Sequence, residues 1–195
     1  MSKFVSKAII LSSLLMGSTG IALAEEAHVA PVKAYVTENV MSWAKDPVVI
    51  DAIRKQNEEH AGLDQAKIDE LDKEWRAQAT AADKPLINEV LGREISKFLS
   101  AKKDESAGMI TEVFVMDNKG LNVGQSDPTS DYWQGDEAKF QKSFGAGPDG
   151  VLIDEVEFDD SSESFISQVS RTITDGGGNP IGAVTIGINV ENLGN

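Results

Sequence analysis

Between Asp131 and Glu137 the chain reads DYWQGDE, which puts two large rings, a primary amide and three carboxylates within seven residues. Burial alone does not call for that mixture, because rings are drawn inward while carboxylates stay in water unless something pairs with them. Rings beside hydrogen-bonding and charged groups make a recognition surface for a small polar molecule, and Lys139 follows closely as a cation for a ligand carboxylate. Asp131, Asp136 and Glu137 could instead work as an acid and base, as in glycoside hydrolysis. A plainer role is also open, with Tyr132 and Trp133 capping an apolar sheet, Asp131 capping a helix and Gly135 allowing a bend.

Other candidate chemistry falls away on spacing. Gly145, Gly147 and Gly150 match G-x-G-x-x-G, but Pro148 interrupts and a strand follows where the dinucleotide fingerprint needs a helix. The triple glycine at 176–178 lies between strand-like runs without a phosphate-binding lysine, so it reads as a hairpin turn. Asp117-Asn118-Lys119-Gly120 opens like a calcium loop, yet Lys119 takes the third place and Pro128 the twelfth, where oxygen ligands are required. His28 and His60 are the only histidines, and His60, beside Glu58 and Glu59, reads as a solvated helix terminus. They fit neither H-E-x-x-H nor a Ser-His-Asp grouping. The absence of cysteine excludes disulfides, thiolate nucleophiles and thiolate metal sites. The expectation is a non-enzyme with no catalytic set, metal or cofactor.

The elements that must hold these residues divide the chain in two. Val32, Tyr35, Val36, Val40 and Trp43 recur at helical spacing up to about Lys45. Asp46-Pro47 then supplies an N-cap and a first helical residue for a helix carrying Val49, Ile50 and Ile53, ended by Ala61-Gly62. A third helix starts at Asp64, with Leu63 and Ile68 as a hydrophobic staple, and runs through Leu71 and Trp75. A fourth is expected from Pro85 to the basic pair Lys102-Lys103, with Ile87, Leu91, Ile95 and Phe98 on one face. From Ile110 the period becomes two, predicting five strands near 110–117, 120–126, 151–158, 164–174 and 181–190. DNKG at 117–120, DDSSE at 159–163 and DGGGNP at 175–180 supply the turns. The long connection at 127–150 holds DYWQGDE and a short helix expected from about Asp136 to Phe144, which leaves Lys139 facing either sheet or solvent. Helices followed by an antiparallel sheet make an α+β fold.

Lys3 and Lys7 precede an apolar run from Ala8 to Leu15 that ends in small residues and Ala22-Leu23-Ala24. This predicts a secretory signal peptide over 1–24, cleaved after Ala24, and hence a periplasmic protein. The organisation expected is a helical region at 25–108 and a sheet with a ligand pocket at 109–195, the latter forming one domain with 46–108. A formal net charge of −14 disfavours nucleic acid and anionic membranes. It suits solubility or cationic ligands.

The blocks DPVVIDAI (46–53), LDKEWRA (71–77), VMDNKGLNVGQSDPTSDYWQGDEAKF (115–140) and IGAVTIGINVENL (181–193) resemble the Cache, or PDC, family of extracytoplasmic sensor domains. The resemblance implies long N-terminal helices packed on a five-stranded antiparallel PAS-like sheet, with 181–190 as a central final strand and a ligand pocket on the other face. It implies a ligand among amino acids, amines and carboxylates, a membrane sensor kinase or chemoreceptor as partner, and a homodimer through the N-terminal helices. By position it places Tyr132, Trp133, Asp136 and Lys139 at the pocket rim, Gln125 and Ser126 at the end of the second strand, and Asp154 and Ser170 on neighbouring strands. Many members carry an arginine in the rim segment; here the nearby cation is Lys139. The chain also stops at Asn195, just past the last strand, so a stand-alone secreted form is expected. The competing expectations are an envelope interaction protein that binds no ligand and the carboxylate-dependent hydrolase.

Overall fold

The computed structural model describes residues 26–193, so the expected signal peptide at 1–24 lies outside the described residues. Helix α1 (Val29–Tyr35) continues through one wider turn at Val36–Val40 and a tight turn at Trp43–Lys45. Val32, Val36, Val40 and Ala44 recur every fourth residue on its buried side. Asp46 leaves the helix and its carboxylate accepts the Val48 amide at 2.9 Å, starting α2 (Pro47–Glu59). Asp64 does the same for the Lys67 amide at the head of α3 (Gln65–Ala79), where Leu63 packs in one cluster with buried Ile68.

The single helix expected from Pro85 to Lys103 is two, α4 (Pro85–Gly92) and α5 (Glu94–Glu105), separated at Arg93, whose backbone is extended. Arg93 is held there by long-range bonds, Nη1 donating at 2.8 Å to both Gln56 Oε1 and the Val123 carbonyl. The break lets the two helices serve different cores. Ile87 and Val90 join Ile68, Trp75, Leu121 and Tyr132, while Ile95 and Leu99 join the main cluster against the sheet.

The sheet comprises β1 (Ile110–Met116), β2 (Asn122–Gln125), β3 (Val151–Ile153), β4 (Glu157–Asp159), β5 (Ser164–Thr174) and β6 (Pro180–Asn189), all paired antiparallel. The order is β2-β1-β6-β5-β3, with β4 also on β5. Where one strand was expected at 151–158 there are two. The chain kinks at Asp154, whose carbonyl accepts from Ser167 Oγ and from His28 Nε2, and β5 is long enough to pair with both pieces. The last strand is central, between β1 and β5, as the sequence blocks implied.

Alternation sorts the sheet into two faces. Val113, Val115, Val169, Ile173, Val184, Ile186 and Ile188 meet α1, α2 and α5. Phe114, Met116 and Ala183 point the other way and are covered by Phe140 and Phe144, whose rings stack at 5.1 Å. The helix expected over 136–144 is shorter, α6 (Ala138–Gln141) and a tight turn at Phe144–Ala146, because Ser143 departs from helical geometry and glycines follow.

Candidate functional site

The side of the sheet away from the long helices carries the polar residues that burial does not explain. Register fixes them in rows. Phe114 pairs with Gln125 on one side and Thr185 on the other, and Thr185 pairs with Ser170. Next along the strands, Gly187 of β6 pairs with Glu112 of β1 and with Gln168 of β5. With no side chain between them, Glu112 and Gln168 reach across: Gln168 Nε2 donates to Glu112 Oε1 at 2.6 Å. A Cβ on Gly187 would overlap Thr111 Oγ1 and lie 3.0 Å from Glu112 Cγ, so glycine is what leaves the gap open. Burial pushes the Glu112 carboxyl up from the ordinary range, and the Gln168 bond and the Lys139 charge pull it partly back.

Lys139, on α6, faces the sheet. Its ammonium lies 5.6 Å from the Phe114 ring centroid and 3.0 Å from Glu137 Oε2, with 19% of the side chain exposed. Ser170 Oγ and Thr185 Oγ1 are 2.9 Å apart and fully buried. Gln125 is also buried; its Oε1 accepts from Asn122 Nδ2 at 3.0 Å, and its Nε2 has no protein partner. Beyond Gln168 the face opens into a cleft of about 480 Å³ lined by Asp154, Glu155, Glu157, Phe158, Asp159 and Ile166. Thus Gln125, Lys139, Asp154 and Ser170 occupy one side of the sheet with Glu112 and Gln168.

The other expected site residues lie elsewhere. Tyr132 is 2% exposed and stacks on Trp75 at 5.2 Å, with its phenol beside Arg93, and burial pushes that phenol up. Trp133 Nε1 donates to the Lys119 carbonyl at 2.8 Å, and Leu121 pairs with Trp133, so the segment adds itself to the sheet edge. Asp72 accepts both the Tyr132 and Trp133 amides. Ser126 Oγ accepts the Val113 amide at 3.0 Å and donates to Asp127. Asp136 is exposed. The three carboxylates considered for hydrolysis are not gathered: Asp131 pairs with Arg76 at 2.9 Å, Glu137 with Lys139, and Asp136 faces water.

His60 is not a solvated terminus. Its Nδ1 lies 2.8 Å from Asp117 Oδ2, and Gln56 Nε2 donates to the same oxygen at 2.9 Å. Asp117 Oδ1 accepts the Lys119 and Leu121 amides, so this fully buried carboxylate serves the β1–β2 turn, closed by Gly120 at φ +84. Among the described residues no group of three or more acidic or histidine side chains could hold a metal, and no helix is long and apolar enough to cross a membrane.

Glu112, Gln168, Thr185 and Gly187 escaped the sequence reading. A usable signal existed in part, because strict alternation places Glu112 in phase with Phe114 and Met116, and Gln168 in phase with Ser170.

Neither a family model nor a curated protein matches the chain. Among solved structures it is similar to the sensor domain of the V. cholerae histidine kinase DctB, with TM-score 0.44 and 10% identity over 83% of this chain and 50% of that one. It is also similar to the ligand-binding domain of the Campylobacter jejuni chemoreceptor Tlp3 in complex with 4-methylisoleucine, with TM-score 0.39 and 13% identity over 78% and 64% of the two chains. A third is the E. coli DcuS sensor domain, with TM-score 0.37 and 20% identity over 66% and 96%. The chain therefore spans half of the kinase domain and under two thirds of the chemoreceptor domain. These neighbours are sensor or ligand-binding domains. The strand order, with the last strand central, is the α+β arrangement that the sequence resemblance implied.

Proposed function

We propose that the protein is a periplasmic, non-enzymatic sensory protein that binds an amino acid or a similar zwitterion on the far side of its sheet and conveys its ligand state to a membrane kinase or chemoreceptor. The observation that carries this reading is the Glu112–Gly187–Gln168 row beside Lys139 and Gln125. It sets a carboxylate for an ammonium group near a cation and an unpartnered amide donor for a carboxylate. Ser170 and Thr185 form the floor between them, and Asp154 stands at the mouth of the acidic cleft, which favours approach of a cationic group. Tyr132, Trp133 and Asp136 act in this reading as the frame that holds the connection in place. The fold neighbours, sensor domains of kinases and chemoreceptors, are consistent with a sensory ligand-binding role.

Thermal-shift titration of the exported protein tests it against amino acids, the matching amines without a carboxylate, and the matching acids without an amine. Amino acids should stabilise most, by about 2.7 kcal/mol at a hundredfold excess over Kd. Glu112→Gln and Lys139→Met should each weaken that response without lowering ligand-free stability below that of a folded protein. Equal stabilisation by all three classes, or by none, refutes the reading.

A further inference from the structure

Among the described residues the exposed large apolar side chains are Val151, Val156, Phe158 and Phe165, and all four lie on one outer edge of the sheet. Phe158 and Phe165 face each other directly across the β4–β5 pair, with rings 5.3 Å apart at 70°, and are 54% and 47% exposed. β3 and β4 pair with β5 alone, so the outer side of each carries no neighbouring strand. An exposed ring pair on an open strand edge is a template for another strand. Its charge selects the partner: Glu155, Glu157, Asp160 and Glu163 are exposed on and beside the same hairpin. Asp159 is held below the usual carboxylate range by the Ser161 and Ser162 hydroxyls and amides at the hairpin tip, so it adds a fixed negative charge.

We propose that this edge docks an extended segment of a partner protein in which Lys or Arg alternates with apolar residues, adding a strand outside β4. The apolar side chains would pack beside Phe158 on the ring side of the sheet, and the cations, on the opposite side of the added strand, would meet Glu157 and Asp159. A second copy of this chain is disfavoured, because a formal net charge of −14 and the same acidic rim would meet their like. The edge shares Glu155, Glu157, Phe158 and Asp159 with the acidic cleft, but strand docking there does not require a ligand on the sheet.

The test uses the exported protein and a nine-residue fluorescent peptide alternating Lys with Val and Phe, a twin with every Lys replaced by Glu, and a twin N-methylated on alternate amides. The basic peptide should bind with an affinity that falls as salt rises, and both twins should bind at least about tenfold more weakly. Amide exchange at 157–159 should slow in its presence. Phe158→Ser with Phe165→Ser should lose about tenfold, and Asp160→Lys with Glu163→Lys should reverse the preference between basic and acidic peptides. Equal binding of the basic and acidic peptides, no binding, or indifference to both double variants overturns the proposal. So would association with phosphatidylglycerol vesicles through the ring pair, or a protein self-association that the Phe variants abolish.

Discussion

Replacing Gly187 with alanine separates two kinds of close packing in the same strand. At Gly187 the new methyl would meet side chains only, overlapping Thr111 Oγ1 and lying 3.0 Å from Glu112 Cγ. A turn of the Thr111 rotamer relieves the first clash; the second moves Glu112 and breaks the 2.6 Å bond from Gln168. Overpacking costs about 1–3 kcal/mol, and loss of a hydrogen bond to a charged group about 1.5–3 kcal/mol. The lower entropy of the unfolded alanine chain returns about 0.4–1 kcal/mol. The net expectation is a loss of about 1.5–5.5 kcal/mol by these magnitudes. Gly182→Ala is the control, since its methyl would overlap the Met116 carbonyl, part of the neighbouring strand's backbone, which cannot rotate away. Gly182→Ala should therefore be the costlier variant and should part β1 from β6, while Gly187→Ala should leave the m-value unchanged and disturb the Glu112 carboxyl. Urea unfolding followed by circular dichroism measures the first pair of effects, and carboxyl NMR titration measures the last. A Gly187→Ala protein with wild-type stability and an unmoved Glu112 titration would refute the argument that this glycine holds the polar row open.

Glu112→Gln removes a carboxyl whose folded-state affinity for protons exceeds the unfolded one, so the wild type is helped by this group below the ordinary glutamate value of 4.5 and loses that help as pH rises through the raised folded value. The stability of Glu112→Gln relative to wild type should rise over that window and then level off; thermal melts in a pH series check it, and a flat or falling difference contradicts it. Asp117→Ala leaves Gln56, His60 and two turn amides without their acceptor, which should cost at least about 3 kcal/mol in urea unfolding. Trp75→Ala removes a fully buried ring stacked on Tyr132 and the donor to the Thr129 carbonyl, for about 3–5 kcal/mol, with loss of near-ultraviolet dichroism from the pair.

What could be read from the sequence was what neighbouring residues decide. Asp46 and Asp64 announce their helices because a capping carboxylate needs only the next turn, and DNKG announces its reversal because Asp117 and Gly120 supply the turn geometry themselves. The break at Arg93 was hidden, since the apolar period runs through it without a fault and the groups that hold the guanidinium, Gln56 and Val123, lie far away in the chain. The rings of DYWQGDE stood out, but their destination depended on Trp75 and Asp72, and composition could not show that α3 would claim them. The Glu112–Gln168 contact needs the register of three strands at once. Alternation gives the face of each residue, not which residues share a row.

The central place of β6 bears on how the molecule comes to exist. Ile110 pairs with Ile188, so β1 waits for a partner far along the chain, whereas β5 reaches the same strand through the short turn at 175–179. The helices can form locally, but the surface they cover is assembled only when β6 arrives between its neighbours. The step expected to be slow is therefore the docking of the β5–β6 hairpin on β1, which closes a long stretch of chain. Until that hairpin docks, β1 keeps a bare edge on the side away from β2.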